Sequence, residues 1–129
     1  MTKERLASLT ASIGAGLVFA TAGFHLSAYG SVTAQAPADL RPLMAALWVA
    51  GGVSLIVSAL LVVAVTPMFI VRRRALLAIA ALTPLSIAIL QVVYLGFLAP
   101  TALLLLDTAV LLAAGELGRA RQPAPLPAA

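Results

Sequence analysis

The chain has 129 residues, of which 63% are hydrophobic and 9% charged, with a mean hydropathy of +1.13 and a net charge of +4. Soluble domains have about 45–50% apolar and about 25% charged residues, so this composition indicates a membrane protein without a separate soluble domain. The absence of cysteine excludes disulfides, thiolate metal sites and cysteine nucleophiles, and the basic residues lie between apolar runs, which favours membrane topology over nucleic-acid binding.

Four apolar runs are each long enough for a membrane span of about 20 residues, and they predict helices over about 6–28, 43–65, 75–98 and 101–117. The stretch 29–42 contains two prolines, a glycine, Asp39 and Arg41, and is predicted to be a loop. The turn LAP before the last run places Pro100 in the first turn of a helix. Residues 1–118 are thus one four-helix transmembrane domain, and 119–129 are a Pro- and Ala-rich tail that we expect to be disordered.

The basic residues are distributed asymmetrically between the two sides of this arrangement. Arg41 is in the first loop, while all the other Lys and Arg lie at the opposite ends of the spans (Lys3, Arg5, Arg72, Arg73, Arg74, Arg119, Arg121). The positive-inside rule therefore predicts an all-α up-down bundle with both termini in the cytoplasm, and an even number of spans agrees.

A cleaved signal peptide ending at AQA (34–36) is the alternative interpretation of the first run. Its apolar stretch exceeds the usual length of about 7–15 residues. Cleavage there would also leave Pro37 at the new N-terminus, which signal peptidases disfavour. An uncleaved first span is therefore favoured.

Small residues at helical spacing predict where the spans pack, because close contact between helices in lipid relies on them. We expect Ser12, Gly16 and Ala20 to form the packing face of the first span. Small residues of the second and fourth spans should serve likewise (Gly51, Gly52, Ser54, Ser58, Ala114, Gly115, Gly118). Ordinary packing within one bundle is favoured over a dedicated dimerisation motif, since such motifs have a high false-positive rate.

Pro84 lies in the middle of the third span. It lacks an amide hydrogen and should kink the helix. Thr83 or Ser86 is expected to satisfy part of the hydrogen bonding of the freed carbonyl.

Polar side chains within a span are costly and are functional-site candidates by default. At about 1.5 Å of rise per residue, all four spans contribute such residues to one layer about 6–10 Å below the outer surface: His25, Trp48, Gln91, Tyr94 and Asp107. This layer predicts a small polar pocket that opens outward and binds a ligand or handles protons. His25 would form one wall, with Asp107 as its candidate ionic partner.

Each of these residues also has a structural interpretation. His25 could bond a backbone carbonyl, and Tyr94 is favoured as part of the aromatic belt, to which Trp48 could also belong. Gln91 could be an interhelical contact worth about 1 kcal/mol. Asp107 is the hardest to explain structurally, because an aspartate at the centre of a span costs about 2.5–3.5 kcal/mol on insertion scales; we expect it to be protonated or paired.

One histidine without cysteine cannot supply the three or four ligands of a usual zinc or non-haem iron site, so no metal site is predicted. A haem with a single histidine ligand stays open, and the cofactor is unknown. Small four-helix multidrug exporters carry their essential acidic residue in the first helix. Asp107 lies in the fourth span, which argues against that family. Glu116, near the end of the same span, is interpreted as an interfacial charge paired with Arg119.

The layout FHLSAYG (24–30) followed by LRPLMAALWVAGG (40–52) resembles a group of small, largely uncharacterised bacterial four-helix membrane proteins. Its motif is His25 with Gly30, then Trp48, and the resemblance covers roughly the first half of the chain. Members of the group often have a histidine directly after the tryptophan, where this chain has Val49, so a two-histidine metal role is not implied. The resemblance implies a bacterial inner membrane and no particular activity.

Three functions stay open. The favoured one is a small inner-membrane binding or accessory protein, or a subunit of a larger membrane complex. The second is a proton-coupled transporter of a small or lipophilic compound, assembled as a homodimer around Asp107. The weakest is a lipid- or quinone-directed membrane enzyme with His25 as acid–base, since no catalytic set accompanies it. The expected partners are the lipid bilayer and a second copy or a larger complex, with no nucleic acid.

Overall fold

The computed structural model describes residues 2–67, 70–96 and 99–117. All regular elements in these residues are helices: α1 Lys3–Ser27, α2 Tyr29–Gln35, α3 Arg41–Val65, α4 Ile70–Leu95 and α5 Ala99–Leu117. The prediction of an all-α chain with four long apolar helices is confirmed. The predicted tail 119–129 lies outside the described residues.

The four long helices have the length and composition needed to cross a membrane. α1 and α3 have 25 residues each, or about 37 Å of helix, against a hydrocarbon core of about 30 Å. α4 begins at Ile70, earlier than expected, and so takes in the three arginines. The helix α1 starts at a capping residue, because the Thr2 hydroxyl accepts a hydrogen bond from the Arg5 amide at 3.3 Å.

The helices form a ring in which α1 contacts α3 and α5, and α4 contacts the same two helices. This is the neighbour pattern of an up-down bundle with short connections. We call the end that carries α2 the α2 end, and the end that carries residues 72–74 the arginine end. The core between the helices is built largely from alanine, leucine and valine, with Leu55, Leu77 and Leu111 fully buried.

The first half of the predicted loop is helical, so the loop prediction is wrong for Tyr29–Gln35. Ala28 keeps helical dihedral angles (φ −80°, ψ −3°), and α2 follows α1 almost without a break. The helix ends where Ala36 becomes extended, as expected of a residue before proline. The Arg41 Nε then donates a hydrogen bond to the Ala36 carbonyl at 3.1 Å, which ties the chain back to the start of α3.

The predicted packing face of the first span is wrong. Ser12, Gly16 and Ala20 are all exposed, and a Cβ added at Gly16 would meet nothing within 4 Å. The face that packs against the bundle is a neighbouring stripe of small residues (Ala7, Ala11, Gly14, Ala15, Val18, Ala22). Both stripes have the spacing that allows close helix contact, so spacing alone could not distinguish them.

The small residues of α3 and α5 do pack within the bundle in part. A Cβ at Gly52 would lie 2.6 Å from the Leu26 Cγ, so α1 and α3 approach closely only because this residue is glycine. Gly115 is buried and packs near Arg74. Ser54, by contrast, is exposed, and Gly118 lies outside the described residues.

Pro84 lies inside the continuous helix α4 and is fully buried. The carbonyl four residues before it belongs to Ala80, and a proline cannot donate to it. The donor is Ser58 of α3, whose hydroxyl bonds the Ala80 oxygen at 2.8 Å. Ser86 bonds the Thr83 carbonyl instead, so the expectation that Thr83 or Ser86 satisfies the freed carbonyl is wrong; the neighbouring helix does so.

Glu116 accepts hydrogen bonds from the Arg74 Nε and Nη2 at 2.9 and 2.6 Å. This exposed ion pair joins α4 to α5 at the arginine end. Arg119, the partner expected from the sequence, lies outside the described residues.

Candidate functional site

His25 and Trp48 form a reciprocal contact between α1 and α3. Their rings are stacked, with centroids 4.1 Å apart and planes 7° from parallel. The His25 Nε2 donates to the Trp48 carbonyl at 3.1 Å, and the Trp48 Nε1 donates to the His25 carbonyl at 2.6 Å. A carbonyl acceptor requires a proton on Nε2, which leaves Nδ1 as the acceptor nitrogen of the neutral ring.

Gly51 explains how the His25 ring reaches the α3 backbone. A Cβ at this position would lie 3.1 Å from the His25 Nε2 and 3.9 Å from the Ile87 Cδ1. The absence of a side chain at residue 51 therefore makes room for the imidazole. The same contact places His25 at the level of Ile87 along the bundle.

Asp107 belongs to α5, where its side chain lies on the side that packs against α1, and it is 1% exposed. Its carboxyl faces the side chain of Thr21, and Thr21 lies one turn before His25 on α1. The Asp107 Oδ2 is buried and has no hydrogen-bond partner among the described residues. One oxygen of this buried carboxyl, a group whose charged form is costly within a membrane span, is therefore left available to another group.

Gln91 and Thr101 join α4 to α5 near the α2 end. The Thr101 hydroxyl donates to the Gln91 Oε1 at 2.9 Å, and both side chains are buried. The Gln91 Nε2 is buried without a hydrogen-bond partner.

Tyr94 does not join the other predicted residues. It is 78% exposed, although it lies only three residues after the buried Gln91. Residues three apart on a helix are neighbours on its surface, yet Gln91 is buried and Tyr94 exposed, so the prediction that both line one pocket is wrong for Tyr94. Tyr94 therefore lies on the outer surface of α4.

The ion pair expected between His25 and Asp107 is not formed: in the part of the chain that the structure describes, the ion pair found is Arg74–Glu116. His25 is committed to Trp48, and Asp107 faces Thr21. His25 and Asp107 nevertheless lie only about one helical turn apart along the bundle. Asp107 faces Thr21, and Thr21 precedes His25 by one turn of α1, or about 6 Å of rise.

The buried polar groups thus follow one another down the bundle from the α2 end. Thr101 with Gln91 lies nearest that end, and Asp107 lies six residues farther along α5, or about 9 Å deeper. Leu104, which is 1% exposed, lies between them on the buried face of α5. The two atoms without partners, Asp107 Oδ2 and Gln91 Nε2, are an acceptor and a donor at different depths of the same bundle.

The predicted residues supply no cluster of metal ligands in the part of the chain described. No group of three His, Asp or Glu side chains is close enough to hold a metal ion among residues 2–67, 70–96 and 99–117. The chemistry available to the site is therefore hydrogen bonding and charge neutralisation at Asp107, with the Gln91 amide as a second polar contact.

Sequence reasoning did not select Thr21, Thr101 or Ser58 for these contacts. A hydroxyl residue four positions before a buried histidine is a weak signal for Thr21, and Thr101 follows the turn that begins α5. The sequence also does not distinguish Arg73 from Arg72 and Arg74. In the structure Arg73 is 4% exposed, while Arg72 and Arg74 are exposed.

The chain was compared with protein-family models, curated proteins and solved structures, and none of them matches it.

Proposed function

We propose that the protein is a multi-pass integral membrane protein of a bacterial inner membrane, with the arginine end and both termini in the cytoplasm. Its long helices carry large apolar side chains on their outer faces, and Val57, Leu82 and Val93 are each about 60% exposed or more. Soluble monomers rarely expose contiguous apolar surface of this kind. The cluster of basic residues at one end supports the orientation through the positive-inside rule.

Within the membrane, we propose a binding or accessory role in which a ligand occupies the half of the bundle near the α2 end. The observation that carries this proposal is the buried Asp107 Oδ2 without a hydrogen-bond partner. A carboxylate at this depth is costly unless a proton or another positive group neutralises it. A leucine at position 107 would favour membrane insertion, yet this chain has an aspartate there.

The chemistry of Asp107 favours a lipophilic cation or a hydrogen-bond donor as the ligand. Such a ligand would neutralise the carboxyl and satisfy Oδ2 beside the Thr21 side chain, which the carboxyl faces. The unpartnered amide nitrogen of Gln91 adds a hydrogen-bond donor nearer the α2 end, which suits an acceptor group on the same ligand. His25 and Trp48 bond one another, and we assign them the task of holding α1 against α3 beside the site.

Proton-coupled transport of a small lipophilic compound is the second candidate. It is supported by the same carboxyl, because a buried group that exchanges a proton for a cation can couple their movements. Pro84 supports it as well, since one helical hydrogen bond of α4 is missing there and Ser58 of a different helix donates to the freed Ala80 carbonyl.

The binding of tetraphenylphosphonium, a lipophilic monovalent cation, to detergent-solubilised protein tests the ligand site. We expect saturable binding to the wild type and a loss of about tenfold or more in affinity for Asp107→Asn, because the substitution removes the charge and keeps the shape. Asp39→Asn is the matched control, since Asp39 is exposed and loses the same charge. Equal binding by all three proteins would contradict a role for Asp107. Transport adds a further test: flux into proteoliposomes that depends on a pH gradient and is absent in Asp107→Asn.

A further inference from the structure

A second candidate site lies at the arginine end, where one guanidinium is buried. Arg73 is 4% exposed. Its Nη1 donates to the Ser8 hydroxyl at 3.2 Å and to the Thr66 carbonyl at 3.3 Å. Its Nη2 is buried and has no hydrogen-bond partner. Arg73 Nη1 therefore connects α4 to residues near the ends of α1 and α3, while Nη2 bonds no group among the described residues.

The positive charge of Arg73 is not neutralised within the described chain. Among residues 2–67, 70–96 and 99–117, the carboxylate in ion-pair contact with an arginine is Glu116, and it pairs with Arg74. Both of the groups that Arg73 bonds are neutral. A buried guanidinium without a counter-charge is strongly unfavourable, so this position calls for an anion.

The start of α4 adds to the positive potential at Arg73. α4 has 26 residues and begins at Ile70, and the amide hydrogens of its first turn have no partner within the helix. Arg73 is the fourth residue of α4, and side chains on a helix lean toward its N-terminus. A helix N-terminus combined with an arginine fork is an arrangement that binds phosphate.

We infer that Arg73 binds a negatively charged phosphate group at the arginine end of the bundle. The phosphate would accept from Nη2 and from the first turn of α4, with the exposed Arg72 adding charge at the surface. The head group of an anionic phospholipid carries such a phosphate at the depth where a membrane-spanning bundle would place residues 72–74, and free phosphate offers the same chemistry. The lipid source rests on the proposed membrane location, and neither source depends on ligand binding at Asp107.

Native mass spectrometry of the full chain in detergent micelles with added phosphatidylglycerol or phosphatidylcholine tests this inference. We expect the wild type to retain phosphatidylglycerol in preference to phosphatidylcholine. Arg73→Gln should reduce retention about tenfold, because it removes charge-assisted hydrogen bonds. Arg72→Gln, which removes the same charge from an exposed neighbour, should reduce retention about twofold, as expected of a screened surface charge. Asp107→Asn should leave it unchanged, which separates this site from the proposed ligand site.

Millimolar inorganic phosphate distinguishes the two sources. A bound phosphate mass that displaces the lipid identifies the free anion as the ligand, and lipid retention that phosphate does not alter identifies the head group. Either result supports the site if it depends on Arg73. Equal retention by Arg73→Gln and Arg72→Gln, or no phosphate-bearing species on the wild type, would overturn the inference.

Arg73→Lys keeps the test decisive if Arg73→Gln does not fold. Lysine retains the charge and can still reach one acceptor, but it lacks the fork. We expect a folded protein with phosphate retention between those of the wild type and Arg73→Gln. Wild-type retention in Arg73→Lys would show that the positive charge alone determines retention and that the guanidinium fork does not, which contradicts the assignment.

Discussion

Replacement of Ser58 by alanine tests how a neighbouring helix compensates for the helical hydrogen bond that Pro84 removes from α4. Ser58 is 3% exposed, and its hydroxyl donates to the Ala80 carbonyl at 2.8 Å. That carbonyl cannot receive an amide hydrogen from residue 84, because residue 84 is proline. Ser58→Ala therefore leaves a buried carbonyl without a donor, a loss that costs about 1–3 kcal/mol in proteins generally.

Hydrogen bonds between membrane helices are worth less on average, about 0.6 and at most about 1.7 kcal/mol. We expect Ser58→Ala to lower the free energy of unfolding by about 1–1.7 kcal/mol, the upper part of this range, since the acceptor has no helical donor. In a Pro84→Ala background the amide of residue 84 can bond the Ala80 carbonyl, and the cost of Ser58→Ala should fall to about 0.5 kcal/mol or less.

Reversible unfolding in mixed micelles, followed by the fluorescence of the single tryptophan, measures all four proteins of this double-mutant cycle. The coupling energy should be about 1 kcal/mol. Ser54→Ala is the matched control, because Ser54 lies one turn away on α3 and is exposed; its effect should be within about 0.5 kcal/mol. An equal loss from Ser58→Ala in both backgrounds would refute the reasoning.

Two further substitutions, Gly52→Ala and Trp48→Phe, test the contact between α1 and α3 by reversible unfolding, with Gly16→Ala as the control for the first. Gly52→Ala should destabilise the bundle by about 1–3 kcal/mol, since its Cβ would overlap Leu26. Gly16→Ala, at an open position, should be neutral or stabilising by up to about 1 kcal/mol; the reverse order of these two effects would show that another face of α1 packs against the bundle. Trp48→Phe retains a ring against His25 and removes the indole donor, so we expect a loss of about 0.5–1.5 kcal/mol; its unfolding is followed by far-UV circular dichroism, with the wild type measured in the same way, because Trp48 is the single tryptophan. A change too small to measure would indicate that the 2.6 Å hydrogen bond contributes nothing to stability.

The number and approximate extent of the long helices could be predicted because they follow from hydropathy and from breaks by proline, glycine and charge. The rotation of each helix about its axis could not. In a membrane-type bundle the outer face is as apolar as the core, so amphipathic patterning does not identify the packed side. Small-residue spacing predicts that Ser12, Gly16 and Ala20 face the bundle, whereas the stripe containing Ala11 and Ala15 packs there.

The candidate site was predictable in depth but not in contacts. The depth estimated from helix rise places His25, Trp48, Gln91 and Asp107 in one layer, and all four are buried. The same procedure also selected Tyr94, which is exposed, because depth does not fix direction. The partners Thr21 and Thr101 come from neighbouring helices, and a single sequence carries no information on which hydroxyl faces which polar group across a bundle.

Native mass spectrometry of the protein extracted in a mild detergent tests the central claim, that Asp107 anchors a ligand, most directly. We predict a discrete bound small molecule on the wild type and on the exposed-site control Asp39→Asn, and its loss from a folded Asp107→Asn. The same bound species at equal occupancy on Asp107→Asn would contradict the claim, as would the absence of any bound small molecule from all three proteins.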